Sequence, residues 1–202
     1  MVVSPSHVPR RLIVAMTGAT GTVIGVRLLQ MLQGVDIETH LVMSKWAVRT
    51  LLHETSYKPE DVERLATHVY SAGDQGAVIS SGSFLTEGMI VVPSSMRTLA
   101  AIAHGFGDNL IHRAADVVLK ERRKLVLAVR ESPFSDIHLE NMLKLSRMGA
   151  VICPPMPAFY AKPASVDDIV TWAAARLLDQ VGIHTDAVAR WDGQMGTGAT
   201  EP

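Results

Sequence analysis

The sequence predicts one α/β domain with three layers, in which a doubly wound, mostly parallel sheet lies between two layers of helices. Two observations predict it. Short apolar segments alternate with amphipathic ones along the chain, and most of the apolar segments are continuous in Val, Ile, Leu and Met. Continuous apolar strands are buried on both faces, as in a sheet covered by helices on both sides. A chain of 202 residues that is 48% hydrophobic suits a single core.

The elements follow from this alternation. We predict strands at residues 11–17, 38–43, 88–93, 124–129 and 149–153. Helical spacing of apolar residues predicts helices at 23–33, 45–54, 96–104, 109–123, 137–148 and 166–182. Ser165 and Asp168 form a capping-box pattern that starts the last helix. Residues 1–10 and the Gly- and Thr-rich residues 192–202 are predicted to be tails outside a domain spanning residues 11–191, the latter disordered.

Composition and missing motifs exclude several classes of function. The formal net charge is −1, so no general attraction to nucleic acid or anionic membranes is expected. No apolar run approaches the ~20 residues of a membrane span. The single cysteine, Cys153, suits a reducing compartment, and we expect the cytoplasm. No H-E-x-x-H, G-x-S-x-G or G-x-x-x-x-G-K-[ST] pattern occurs, so we predict no metal site and disfavour hydrolases and NTPases.

In a doubly wound sheet, ligands bind at the carboxyl ends of the strands. The first strand is followed by the small residues Gly18, Ala19 and Thr20. This turn suits either a phosphate cradle or a tight turn without a ligand, and the pattern alone does not choose between them. The spacing of Gly18, Gly21 and Gly25 differs from G-x-G-x-x-G, which disfavours classical NAD binding.

Hydroxyl side chains follow two further strands. Ser44 comes after the second strand with Lys45 beside it, and both a phosphate contact and an ordinary N-cap with a solvated lysine explain them. A similar helix start follows the third predicted strand and contains Ser95, Met96, Arg97 and Thr98. Such a segment could hold part of the same ligand, although alone it is usually only a cap.

Charged and aromatic residues follow the last strands. Arg130 and Glu131 directly follow a buried strand, where they could bind a phosphate and move a proton or simply mark the strand's exit into solvent. Arg176 lies in the apolar segment 172–178 and needs an anionic partner, either an internal acid or a ligand phosphate. Tyr160 lies in a proline-rich turn.

One segment is more specific than the others. Residues 113–123 read RAADVVLKERR, followed by Arg130-Glu131 and by IHLENML at 137–143. Arg113, Asp116 and Lys120 share one helix face, which is most simply a structural ion-pair stripe. Together with MTGATG at 16–21, Ser44-Lys45 and PAFY at 157–160, this order of motifs resembles the UbiX family of flavin prenyltransferases over residues 11–191. That family includes proteins once described as small subunits of hydroxyaryl-acid decarboxylases.

The resemblance implies a Rossmann-like flavoprotein fold and a metal-independent enzyme. It implies that reduced FMN and dimethylallyl monophosphate bind, and that the dimethylallyl group is joined to N5 and C6 of the flavin. The product, prenylated FMN, would serve as the cofactor of a UbiD-type decarboxylase. The resemblance also implies a homo-oligomer of trimers, up to a dodecamer, with active sites between neighbouring subunits.

The resemblance also assigns roles to residues. It implies FMN contacts for Gly18, Ala19, Thr20, Ser44, Ser95, Met96, Arg97, Thr98 and Arg130. It implies catalytic roles for Thr20, Glu54, Lys120 and Glu131, and substrate contacts for Lys120, Arg130, Tyr160, Arg176 and Trp191. Cleavage of the carbon–oxygen bond builds negative charge on the phosphate and positive charge on the allyl group, which cations and aromatic faces respectively stabilise.

The chain departs from the family pattern at two positions. Thr20 stands where many members have Ser, and Gln75 where some have Trp. Two other functions remain open. An FMN-dependent cysteine-type decarboxylase is one, although residues 155–158 lack the Asn of its P-x-M-N-x-x-M-W clamp. An accessory FMN-binding subunit of an aromatic acid decarboxylase is the other. The pathway served and the choice of mono- or diphosphate donor are left open.

Overall fold

A computed structural model of the chain describes residues 9–193 and contains one six-stranded sheet. Every pair of neighbouring strands is parallel, so the doubly wound prediction is confirmed and the sheet is parallel throughout. The strand order is β3-β2-β1-β4-β5-β6. The strands are β1 Arg11–Met16, β2 Glu38–Met43, β3 His68–Ser71, β4 Gly88–Ser94, β5 Lys124–Val129 and β6 Val151–Ile152.

Residues 9–193 contain seven α-helices, and the six predicted ones lie within three residues of their predicted bounds. They are α1 Thr22–Met31, α2 Lys45–Glu54, α3 Pro59–Glu63, α4 Met96–Ala103, α5 Leu110–Lys120, α6 Asp136–Arg147 and α7 Val166–Asp179. Five of them begin at a residue whose side chain accepts a hydrogen bond from the third helical N–H group, namely Ser44, Ser95, Asn109, Ser135 and Ser165. The capping box of Ser165 with Asp168 is confirmed.

The sheet separates two apolar cores. Along β1, Leu12, Val14 and Met16 face the core formed with α1 and α7. Ile13 and Ala15 face the opposite core, which α4 and α5 cover. This alternation buries both faces of the central strand, as its continuous apolar sequence predicts. Among the described residues, no helix is both long and apolar enough to cross a membrane.

The strand order reverses between β1 and β4. From β1 the chain proceeds outwards to β2 and β3, and it then returns to place β4 on the other side of β1. Connections on either side of such a point leave the sheet in opposite directions and open a crevice at the carboxyl ends of the strands. The residues after β1, β2 and β4 therefore surround one crevice.

The structure corrects the expected elements in three places. β3 and α3 were not predicted, and β6 has two residues where five were expected. Arg10 does not belong to a free tail, because its carbonyl accepts a hydrogen bond from Glu38 N and its guanidinium pairs with Glu87. Residues 1–8 and 194–202 of the predicted tails lie outside the described residues.

Candidate active site

Thr17 joins the carboxyl ends of the two central strands. Its Oγ1 donates a hydrogen bond to the carbonyl of Pro93 at 2.8 Å and accepts one from Ser95 N at 2.8 Å. The side chain is almost fully buried. This contact holds the turn after β1 next to the start of α4, at the point where the strand order reverses.

A cavity of about 390 Å³ opens at this point. Three helices, α2, α4 and α5, begin in its wall at Ser44, Ser95 and Asn109. Helix N-termini carry partial positive charge and N–H groups, so their convergence favours an anionic ligand. We call this cavity the cradle. Its lining consists of Thr17, Gly18, Ser44, Lys45, Trp46, Ala72, Ser95, Arg97, Thr98, Asn109 and His112.

Gly18 allows the backbone of the cradle to pass close to Trp46. A Cβ atom on Gly18 would lie 2.4 Å from Trp46 Cβ, a distance that side chains do not adopt. The Trp46 ring is 60% exposed, and the guanidinium of Arg49 lies 5.0 Å from the centre of an aromatic ring of this indole. A flat aromatic side chain at the edge of a cavity can pack against a planar ring system.

The side chain of Glu54, the last residue of α2, binds the N-terminus of α1. Its Oε2 accepts hydrogen bonds from Gly21 N at 3.0 Å, from Thr22 N at 3.1 Å and from Thr22 Oγ1 at 2.9 Å. Burial raises the pKa of this carboxyl, but the hydrogen bonds from Thr20, Gly21 and Thr22 outweigh it and the pKa lies below its usual value. The α1 N-terminus therefore binds a carboxylate of the protein itself, whereas the starts of α2, α4 and α5 face the cavity.

Four of the predicted flavin contacts lie outside the lining of the cradle, and one of them, Arg130, lines a second cavity instead. Ala19 bonds back to the carbonyl of Thr17, Thr20 bonds to Glu54, and Met96 packs against the apolar core under α4 and α5. Arg97 does line the cradle, where its side chain is 79% exposed and lies 3.7 Å from Asp108. The sequence motifs thus mark the right turns, although not every residue in them faces the cavity.

A second cavity, of about 400 Å³, contains Arg130 and Glu131. It adjoins the cradle, because Arg130 N donates a hydrogen bond to the carbonyl of Ser94, the residue before the N-cap of α4. Both charged residues are exposed, and Phe134 and Met156 supply apolar walls. Charge beside an apolar wall suits a small ligand with an anionic end and a hydrocarbon end.

Tyr160 and Trp191 lie together in the structure. Their ring centres are 5.5 Å apart at an interplanar angle of 79°, and Trp172 lies edge-on to Tyr160 at 6.4 Å. Tyr160 and Trp191 are about half exposed. Trp172 was not singled out in the sequence, because an apolar position on a helix has the ordinary pattern of a core residue.

Arg176 has an internal acid as its partner. Arg176 Nη1 donates to Asp179 Oδ2 at 2.6 Å, and Arg190 and His184 bind the same carboxylate at 2.8 Å. The Asp179 side chain is only 6% exposed. The bonds from Arg190, and then those from His184 and Arg176, hold the pKa of the carboxyl far below its usual range, although burial opposes this. The Arg176 side chain remains 43% exposed and can still meet an anion.

Arg176 lies beside the carboxyl end of β6. Its charge lowers the pKa of the Cys153 thiol, but burial is the larger effect, so that this pKa is raised overall. Cys153 directly follows β6 and donates its N–H to the carbonyl of Leu127 on β5. Arg176 is therefore on the same edge of the sheet as Arg130 and Glu131.

Lys120, another predicted catalytic residue, is directed by the fold of a single chain towards the opposite edge of the sheet. It is the last residue of α5, and only three residues separate it from β5. Because α5 begins at the cradle and extends about 16 Å, its end lies near the amino-terminal edge of the sheet. There Lys120 Nζ pairs with Glu121 Oε1 at 2.5 Å. The predicted stripe is also partly wrong, since Arg113 pairs with Asp116 but Lys120 does not.

Comparison with known proteins identifies the family. Residues 3–178 match the family model described as Flavoprotein. Over 185 residues the chain is 56% identical to "Flavin prenyltransferase PAD1, mitochondrial" of Saccharomyces cerevisiae, and the match covers 92% of this chain and 76% of that one. The chain belongs to the UbiX-like flavin prenyltransferases.

Two solved structures of this family have the same fold as the flavin prenyltransferase described here. AnUbiX (PadA1), in complex with FMN and dimethylallyl pyrophosphate, superposes with a TM-score of 0.91 at 53% identity, over 93% of this chain and 100% of that one. A dodecameric FMN-dependent Ubix-like decarboxylase from Escherichia coli O157:H7 superposes with a TM-score of 0.89 at 59% identity, over 91% and 100%.

Proposed function

We propose that this prenyltransferase joins the dimethylallyl group of dimethylallyl monophosphate to N5 and C6 of reduced FMN and releases prenylated FMN for a UbiD-type aromatic acid decarboxylase. The observation that carries the proposal is the pair of cavities at the carboxyl edge of the sheet, one walled by three helix N-termini and one by charged and apolar groups, with the backbone of Arg130 bonded to that of Ser94 between them. The complex of the relative PadA1 with FMN and dimethylallyl pyrophosphate supports it.

The residues of the cradle fit FMN. The N–H groups that begin α2, α4 and α5 suit its phosphate, and Ser44 and Ser95 lie at these helix starts. Gly18 lets the turn after β1 lie directly against Trp46, where any Cβ atom would overlap the tryptophan side chain, and the exposed indole provides a face for a flat ring. When bound, reduced FMN supplies the nucleophilic atoms N5 and C6. The protein's own contribution here is to fix the orientation of the ring.

The second cavity fits the prenyl donor. Arg130 and Arg176 are half-exposed or exposed cations on one edge of the sheet, so they can balance the charge that develops on the departing phosphate. Glu131 lies beside Arg130, and as a carboxylate it can take a proton from the reacting groups and, once protonated, pass that proton to the phosphate. Phe134 and Met156 exclude water from the hydrocarbon end of the donor.

The aromatic group of Tyr160, Trp172 and Trp191 supplies the remaining wall. Aromatic faces stabilise a neighbouring positive charge, so this group suits the allyl end of the donor as its carbon–oxygen bond breaks. Asp179 keeps Arg176 in place and, through Arg190, anchors the segment that carries Trp191. The Asp179 carboxylate therefore holds both the aromatic wall and Arg176, the cation proposed to bind the phosphate of the donor.

We further propose that a homo-oligomer completes the site, with Lys120 donated by a neighbouring subunit. Two observations support this. Lys120 is remote from Arg130 within one chain, and α6 exposes Ile137, Leu139 and Leu143 by 51 to 66%, an apolar face suited to subunit contact. The Ubix-like relative from E. coli O157:H7 is dodecameric.

We place the protein in the cytoplasm. A single cysteine in 202 residues and a reduced flavin as substrate both suit a reducing compartment. The yeast relative carries the name mitochondrial, so cell fractionation of the native source is the test, and recovery with an organelle would contradict this placement.

The test of the function is anaerobic incubation of the purified protein with reduced FMN and dimethylallyl monophosphate, followed by mass spectrometry of the extracted flavin. We expect the mass of the flavin to increase by one C5H8 unit with the wild type. The increase should be absent with Glu131→Gln and present with the control Glu60→Gln, which alters an exposed residue of α3. Flavin that binds but stays unmodified would overturn the proposal and favour an accessory FMN-binding subunit.

A further inference from the structure

Three side chains with metal-binding atoms meet at the amino-terminal ends of β2 and β3, on the edge of the sheet opposite the cradle. Glu38 and His40 are two residues apart on β2, so they project from the same face. His68, the first residue of β3, is the direct cross-strand partner of His40. One nitrogen or oxygen atom from each of the three lies within 4.8 Å of the other two.

His40 is the fixed member of this group. It is 1% exposed, stacks on His68 with ring centres 4.8 Å apart, and meets the edge of Phe84 at 5.2 Å. Its Nδ1 lies 2.9 Å from the Tyr70 hydroxyl, whereas its Nε2 is buried and has no hydrogen-bond partner within residues 9–193. Buried polar atoms of side chains rarely lack a partner, so the unpaired Nε2 indicates a missing ligand.

The hydrogen bond between His40 and Tyr70 suits metal binding by this imidazole. In metal sites the second ring nitrogen is usually fixed by a hydrogen bond to an oxygen atom, which is the position of the Tyr70 hydroxyl on Nδ1.

We propose that Glu38, His40 and His68 form a binding site for one divalent transition-metal ion of the zinc type. Two imidazoles and one carboxylate are a common ligand set for such ions. With bonds of about 2.1 Å, ligand atoms lie roughly 3.4 Å apart, so the exposed His68 and the half-exposed Glu38 move inwards onto the buried His40. The ion links the edge strand β3 to β2 and takes no part in prenyl transfer, whose site lies at the other edge.

Arg11 competes with the ion. Its Nε donates a hydrogen bond to Glu38 Oε2 at 2.7 Å, and its guanidinium lies 4.6 Å from the centre of the Phe84 ring. A metal ion must either displace Arg11 from this oxygen or bind the carboxylate against the charge of the guanidinium. Replacing Arg11 by glutamine removes the competing charge, so we expect Arg11→Gln to bind the metal more tightly than the wild type.

The experiment is a titration of the full-length, tag-free protein, treated with a chelator, with Co²⁺ and then Zn²⁺. Visible absorption of Co²⁺ reports the ligands, and thermal unfolding with Zn²⁺ reports the coupling to stability. We expect one equivalent to bind to the wild type and to the control His53→Phe, which alters an exposed histidine of α2. His68→Phe, which keeps a ring against His40, should bind at least about tenfold more weakly.

A second variant distinguishes the loss of a metal ligand from a folding defect. Glu38→Gln alters a partly exposed side chain, and it should also weaken binding and abolish the Zn²⁺-dependent rise in melting temperature. Wild-type protein that binds no stoichiometric Co²⁺, or equal affinity in the wild type, His68→Phe and Glu38→Gln, would overturn the proposal. Because the readouts are metal affinity and melting temperature, the outcome is independent of prenyl transfer.

Discussion

Replacing Glu54 by glutamine tests whether this carboxylate holds the turn after β1. Glu54 Oε2 accepts two backbone N–H bonds and one hydroxyl bond at the start of α1. Glutamine keeps one carbonyl oxygen as acceptor but loses the charge. Hydrogen bonds to charged groups contribute about 1.5–3 kcal/mol, and those between neutral groups about 0.5–1.5 kcal/mol. The charge at a helix N-terminus contributes a further amount of about 0.3–1 kcal/mol. Because Glu54 is exposed, we expect Glu54→Gln to lose about 1–2 kcal/mol at pH 7.5.

The loss should depend on pH in a defined direction. The folded-state pKa of Glu54 lies below its ordinary value of about 4.5, so the stabilisation by its charge is complete above that value. It is lost as the pH falls from there through the folded-state pKa. The difference between the wild type and Glu54→Gln should therefore be constant from about pH 6 to about pH 8, and shrink below about pH 4.5.

The assay is urea unfolding followed by circular dichroism at pH 7.5 and at successively lower pH, at one protein concentration because subunit assembly also affects stability. The control Glu60→Gln removes an exposed carboxylate from α3 and should change stability by less than about 0.5 kcal/mol. An equal difference between wild type and Glu54→Gln at every pH would refute the charge argument. A difference below about 0.3 kcal/mol at pH 7.5 would refute the role of Glu54 in the turn.

Three further predictions concern the cavities. Gly18→Ala places a Cβ atom 2.4 Å from Trp46 Cβ, so one side of the cradle must move by about 1 Å. We expect a folded protein with at least about tenfold weaker FMN binding by flavin fluorescence, and unchanged affinity would contradict the fit. Asp179→Asn releases the cations it holds, so steady-state kinetics should show KM for the prenyl phosphate rising about tenfold with a smaller change in kcat and unchanged FMN affinity. A lower kcat with constant KM would argue against positioning. Lys120→Ala and Glu131→Gln should each be inactive, and co-refolded mixtures should regain about a quarter of the activity if the site is shared between subunits. No recovery would place both residues in one subunit's site.

The sequence predicted the central elements because their signals are local. β1, β4 and β5 are continuous apolar runs, and Ser44, Ser95 and Ser165 mark helix starts within a residue. β3 escaped prediction because it has four residues at the edge of the sheet, of which His68, Val69 and Ser71 are exposed, so no buried pattern identifies it. α3 has five residues, too few to show helical periodicity.

The part of the candidate site that could be predicted consists of residues that closely follow strands, such as Gly18, Ser95 and Arg130. The partners of these residues could not be predicted, because they are distant in sequence. Nothing local shows that Glu54 reaches back to Thr22, thirty-two residues earlier. Similarly, Asp179 has the ordinary appearance of a charge at a helix end, and only the fold brings Arg190 onto it.

The hydrogen bonds of Thr17 have a consequence for how the protein folds. They bond Thr17 to Pro93 and Ser95, which come 76 and 78 positions later in the sequence. The chain must therefore close a long loop before the cradle exists. Contacts of such high sequence separation form late and slow the folding of parallel sheets. The cradle thus becomes complete only when β1 and β4 are paired in the central sheet. A ligand that binds the completed cradle binds the native state alone and stabilises it by mass action, so we expect the stability of this chain to rise with the concentration of flavin.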